Sequence, residues 1–156
     1  VLEPVLAQAE TYYLGMLRRR WPDEELADRC LAFVSGYHEF WITNSRILHL
    51  RNAMSDAHDL RMMQHRVASA QPMIGKLILQ MDGDPADSSS PDYAMANMLM
   101  SGIERAATVW TDAVLSELLA EGMFRGAGWF RQPAARMLEL GISDARSAAR
   151  TRRALA

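Results

Sequence analysis

The apolar series Leu60, Met63, Val67, Ala70, Ile74, Leu77 and Met81 constrains this chain more than any other feature. Its members recur at alternating three- and four-residue steps, which places them all on one stripe of an α-helix and rules out the two-residue alternation of a half-buried strand. A helix with such a stripe must bury it against other helices. Pro72 lies inside the series and deletes one intrahelical donor. It also crowds the carbonyl of Ala68, so a bend is expected there.

The rest of the chain reads the same way. Leu2, Val5, Leu6, Ala9, Tyr12, Tyr13, Met16 and Leu17 form one face of a first helix ending near Trp21-Pro22. Asp23 is expected to cap a second helix, whose buried face runs from Leu26 and Cys30 through Phe33, Val34 and Tyr37 to Phe40 and Trp41. Thr43-Asn44 are read as a break before a short helix carrying Ile47, Leu48, Leu50 and Met54, and Ser55-Asp56 as the cap of the long series. Asp82 to Ser90 reads as a solvated loop. Ser90-Pro91-Asp92 is a strong start, with a hydroxyl cap, proline at the first position and an acid at the positive end of the dipole. The helix it opens can run to Glu121 or be split by a new cap at Thr111-Asp112. Two alanine-rich pieces, Arg131 to Leu140 and Asp144 to Leu155, are expected on either side of a stop at Gly141-Ile142-Ser143. No strand pattern of useful length occurs, so the fold class expected is all-α, an antiparallel bundle of about six to eight helices.

At 156 residues the chain suits a single domain. No apolar run approaches the roughly 20 residues that cross a bilayer, so no membrane partner is expected. Cys30 is the only cysteine, which excludes an intrachain disulfide, and nothing resembles a secretory signal. A cytoplasmic setting fits best. Lys76 is the one lysine beside sixteen arginines, a bias typical of a GC-rich bacterial genome. Charge is uneven: residues up to Phe124 hold ten basic and seventeen acidic side chains, whereas from Arg125 onward seven arginines face only Glu139 and Asp144. The chain opens on Val1 in the middle of a helical pattern, and a preceding segment is therefore expected.

No catalytic constellation stands out. His38, His49, His58 and His65 show neither His-Glu-x-x-His nor Glu-x-x-His spacing, so neither a metal nor a cofactor is expected. A nucleophile elbow, a phosphate loop and a dinucleotide fingerprint are all absent, and Cys30 on an apolar face reads as an inert thiol. An enzyme is not expected. The eleven methionines suit core packing first, but flexible thioethers such as Met63, Met73 and Met98 can also line a chamber for apolar guests. The pair Phe40-Trp41 suits the same wall, with Leu48 beside it. Asn44 and Arg51 could donate to a guest's carboxylate or carbonyl. The tail arginines Arg146, Arg150, Arg152 and Arg153 lack interleaved aromatics and read as a solvated helix.

The run Phe33-Val34-Ser35-Gly36-Tyr37-His38-Glu39-Phe40-Trp41, with Asn44, Ile47-Leu48-His49-Leu50-Arg51, the polar stretch Asp56 to Arg66 and Pro72-Met73-Ile74, resembles the C-terminal regulatory domain of TetR-type transcriptional repressors. The resemblance covers residues 1–122. It implies an effector-binding and dimerisation domain, with residues 1–20 as the helix leading from a helix-turn-helix head, and 123–156 as a C-terminal helical extension of unassigned role. It further implies a cavity for a small apolar effector walled by Phe40, Trp41, Leu48, Met63, Met73 and Met98, with Asn44 and Arg51 as polar contacts. A homodimer interface is implied at Leu99, Gly102, Ile103, Ala106, Trp110, Val114 and Leu118. Operator DNA would be reached only through the N-terminal head, so the chain alone is not expected to bind it. The competing expectation is a stand-alone helical interaction module that holds an acidic partner with its basic tail.

Overall fold

The computed structural model describes residues 2–119 and 128–155, so the expected helix end at Glu121 and the boundary at 122–123 fall outside it. The described residues form an all-helical bundle of six α-helices: α1 (Leu2–Tyr12), α2 (Leu26–Asp56), α3 (Leu60–Gln80), α4 (Pro91–Trp110), α5 (Ala113–Leu119) and α6 (Arg131–Ala154). Two short 3₁₀ turns, Leu14–Arg18 and Asp23–Glu25, connect α1 to α2. No described helix is long and apolar enough to cross a membrane.

The scaffold is α2, whose 31 residues extend about 46 Å at 1.5 Å per residue. Its buried residues cover a wide arc, from Phe33, Tyr37 and Phe40 on one side to Val34, His38 and Trp41 on the other. An arc that broad needs several neighbours, and α1, α3, α4 and α6 all pack against it. The proposed stripe of α3 is buried only in its C-terminal half, at Ile74 and Leu77, while Leu60 and Val67 stay exposed. Pro72 is accommodated within α3, which runs without interruption from Leu60 to Gln80.

Several expected helix ends move, and each move has a local cause. Asp23 does not cap α2; it sits in a 3₁₀ turn and its carboxylate accepts from Arg146 of α6. Thr43-Asn44 do not break the helix. Asn44 Nδ2 donates to the Phe40 carbonyl (3.0 Å) and to Gln8 Oε1 (3.1 Å), and the Thr43 hydroxyl meets that of Tyr12 at 3.2 Å, so both polar groups bridge to α1. Asp59, rather than Ser55-Asp56, caps α3, accepting from the amides of Arg61 and Met62. Ser90 caps α4 as expected, accepting from the Tyr93 amide at 3.1 Å. The alternative split at Thr111-Asp112 is the one adopted: α4 ends at Trp110, and Asp112 accepts from the Leu115 amide at 3.0 Å.

The stop at Gly141-Ile142-Ser143 is absent, because Gly141 is a crossing point inside a continuous α6. A Cβ added there would lie 2.7 Å from Leu99 Cδ1 of α4. Leu138 and Ile142 beside it are fully buried, each contributing about 1.5–3 kcal/mol of apolar burial. Helix α6 is thus part of the same core as α2 and α4.

Candidate functional site

An aromatic cavity lies between α1, α2, α3 and α4. On α2, the residues Tyr37, Phe40, Trp41, Leu48 and Arg51 recur at helical spacing, so one face of one helix supplies most of the wall. Leu6 of α1 and Tyr13 just beyond it close one side, and Ala70 and Met73 of α3 the other. Edge-on contacts set the rings, with Tyr13 to Tyr37 at 4.9 Å and Tyr13 to Phe40 at 5.4 Å between centroids. The cavity volume is about 30 Å³, room for a water-sized guest. A larger guest must part the helices.

The remaining wall is polar. Arg51 is 7 % exposed, and its strongest hydrogen bonds go to a neutral acceptor, Asn52 Oδ1, at 3.0 Å from Nε and 2.8 Å from Nη2. Its Nη1 reaches Ser69 Oγ only at 3.5 Å. Glu104 of α4 faces Arg51 Nη2 at 3.5 Å and Arg66 Nη2 at 3.3 Å, yet its buried Oε1 completes a hydrogen bond with neither. Burial draws the Arg51 guanidinium below its ordinary range, against the attraction of Glu104. The same burial pushes the Tyr13 and Tyr37 phenols up, so both stay neutral. Beyond this wall is a second cleft of about 160 Å³, lined by Asn52, Asp56, Ser101, Arg105 and Thr108. Arg66 and Glu104 belong to both spaces.

Of the residues expected to line a chamber, Phe40, Trp41, Leu48, Met73 and Arg51 are brought together here. Three are not. Asn44 is tied to α1, Met98 is 72 % exposed, and Met63 is 38 % exposed on the outer side of α3. Sequence reasoning missed Arg66, Ser69 and Glu104 as lining residues. Each is an ordinary polar residue on an amphipathic helix, and only the packing of α3 and α4 against α2 collects them. Tyr37 and Tyr13 could have been found, since Tyr37 precedes Phe40 and Trp41 by three and four residues on the same helix face.

The residues expected to pair two copies divide more sharply. Leu99 and Ile103 are 5 % and 1 % exposed and pack inside the chain's own core, so neither can meet a second copy. Gly102 is approached by Met137 Cε of α6, which would stand 3.3 Å from an added Cβ. Ala106 packs against the core, and Trp110 does too, stacking on Phe130 at 6.3 Å. Helix α6 therefore takes much of the face of α4 that had been assigned to a partner. Val114 and Leu118 of α5 remain exposed, at 67 % and 73 %.

The tail is not a free basic strip either. Arg146 is fully buried, donating from Nε to the Gln80 carbonyl at 2.7 Å and from Nη1 to Asp23. Arg150 faces Asp23 at 3.7 Å and Arg152 pairs with Asp92 at 3.2 Å. The C-terminal arginines answer the acidic body of their own chain.

The histidines are separate from one another in role. His49 Nε2 lies 3.0 Å from Thr111 Oγ1, whose single proton goes to the Ala107 carbonyl, so His49 donates. His38 is fully buried, accepts from Arg131 Nε at Nδ1, and is pushed down to about 4 by burial and then by Arg131. No group of three or more potential metal ligands occurs among the described residues. Cys30 is buried and its thiol is pushed up to about 12, chiefly by desolvation.

The chain matches no family model, and no curated protein or solved structure is significantly similar to it.

Proposed function

We propose that this chain is the effector-sensing and dimerisation domain of a TetR-like transcriptional regulator, binding a small apolar guest in the cavity beside α2. The observation that carries the reading is Arg51, a buried guanidinium in an aromatic wall with no full-strength charged partner. Structural arginines at such depth are ordinarily held by closely hydrogen-bonded carboxylates, as Arg146 is by Asp23. A buried charge whose hydrogen bonds go to neutral acceptors, at the end of an apolar space, is a group that the polar end of a guest can still engage.

The mechanism is mechanical rather than chemical. Leu6 and Tyr13 form one side of the cavity, so a guest that enlarges it presses on α1 directly. In a regulator of this type, α1 leads to the reader head, and its displacement changes the separation of two heads on operator DNA. A coupling of about 1–3 kcal/mol between the sites suffices. With Leu99 and Ile103 buried, pairing of two copies falls to α5, through Val114 and Leu118.

Titration with hexanol, followed by calorimetry, tests the cavity. Saturable binding is expected, and Trp41→Ala, which removes the largest ring from the wall, should change the affinity by at least threefold, on the order of 1 kcal/mol. Absence of saturable binding, or an unchanged affinity in Trp41→Ala, would remove the cavity as a ligand site.

A further inference from the structure

The inner cavity and the outer cleft are two rooms with a common wall. Arg66 and Glu104 line both, while Arg51 faces the inner room and Arg105 the outer one. Two guanidiniums, those of Arg51 and Arg66, converge on Glu104, whose Oε1 is buried without a hydrogen bond. Arg66 also leans outward to Asp56, at 3.4 Å. Contacts of 3.3 to 3.5 Å are ion pairs without good hydrogen-bond geometry, so Glu104 Oε1 stays without a hydrogen bond while Arg51 is bonded to the neutral Asn52 and Ser69.

We propose that the site selects an amphipathic monoanion, a short-chain carboxylate, whose head enters between Arg51 and Arg66 in place of Glu104 and whose chain extends into the aromatic cavity. The proposal rests on the cavity being a ligand site and adds the charge of the ligand. A planar carboxylate offers two acceptor oxygens, enough to take a proper bond from each guanidinium. Glu104 then swings into the outer cleft, where Arg105 and Ser101 can receive it. The Arg66–Glu104 pair is therefore the door between the rooms. A neutral guest of equal length opens the door without replacing its charge, and a cation adds repulsion from both arginines.

The experiment is calorimetric titration of the chain with hexanoate, hexanol and hexylamine. Hexanoate is expected to bind on the order of tenfold more tightly than hexanol, the scale of one charged hydrogen bond, and hexylamine more weakly than either. Because Arg51 is buried and its loss risks misfolding, the variants are placed at the half-exposed door. Arg66→Gln should lower the preference for hexanoate over hexanol about tenfold. Glu104→Gln removes the competing carboxylate and should tighten hexanoate and raise its preference over hexanol. Equal binding of hexanoate and hexanol, or weaker hexanoate binding in Glu104→Gln, overturns the charge selection but leaves the cavity reading standing. Failure of all three probes to bind overturns both.

Discussion

Gly36→Ala sets two physical effects against each other, and the structure decides which wins. Gly36 lies in the interior of α2, where an alanine ordinarily gains about 1 kcal/mol of helix stability over glycine. At this position, however, the added Cβ would overlap the carbonyl oxygen of Tyr12 at the end of α1 and sit 3.2 Å from its carbonyl carbon. The obstacle is backbone, which cannot rotate away as a side-chain tip can. For an ordinary C···O separation of about 3.3 Å, α1 must retreat by on the order of 1 Å. That retreat loosens Val5, Ala9 and Tyr13, each at most 6 % exposed. Overpacking of this kind costs about 1–3 kcal/mol, and with a backbone obstacle the upper end applies. The net expectation is a loss of roughly 2 kcal/mol, or a fall of about 4–8 °C in Tm. Gly75→Ala is the internal control. It too is in a helix interior, in α3, but its Cβ would meet only Pro85 Cβ at 3.8 Å, so it should stabilise by about 0.5–1 kcal/mol. Urea denaturation of both variants beside the parent chain measures the two signs. A Gly36→Ala chain as stable as Gly75→Ala would refute the close approach of α1 to α2.

The other perturbations concern α6 and pH. Arg146→Met removes the donor that satisfies the Gln80 carbonyl at the end of α3, together with the tie to Asp23. A loss of about 2 kcal/mol is expected by urea denaturation, and a change within 0.5 kcal/mol or so would mean the contact contributes little. His38 stays neutral in the folded chain down to about 4, whereas the unfolded chain takes up that proton near the ordinary value. The unfolded state binds more protons in between, so stability should be complete above about pH 6.5 and fall towards pH 4 by about 1 kcal/mol per unit. His65, drawn down by burial and then by Arg51, adds to the slope with the same sign. His38→Gln should flatten this dependence, and an unaltered slope in that variant would assign it to other groups.

Legibility in the sequence followed the range of the interactions. The caps at Ser90 and Asp112 each depend on an amide three residues away, and a reader of the sequence can name them. The aromatic side of the cavity was legible as well, because Tyr37, Phe40, Trp41 and Leu48 share a face of one helix. Asp23, Asn44 and Gly141 were misread for one common reason. Each is a residue type that often ends a helix, and each is used here for a contact with a distant element: Arg146, Gln8 and Leu99 respectively. Met98 and Met63 were assigned to the cavity by residue type, and the rotation of their helices turns them outward.

What the sequence by itself determined is the helical class, the helical character of each segment and the ring-bearing face of α2, since periodicity acts within a few residues; that α2 and α6 each run unbroken was not among it. Which faces are covered was decided by tertiary structure alone. The alanine-rich α6 reads as polar and peripheral, yet its small residues let it lie close against α2 and α4, burying Leu99, Ile103 and Arg146. The meeting of Arg51, Arg66 and Glu104 from three helices belongs to the same level. No spacing along the chain encodes it, because the three charges become neighbours only when burial of the apolar faces sets the rotation of α2, α3 and α4 about their own axes.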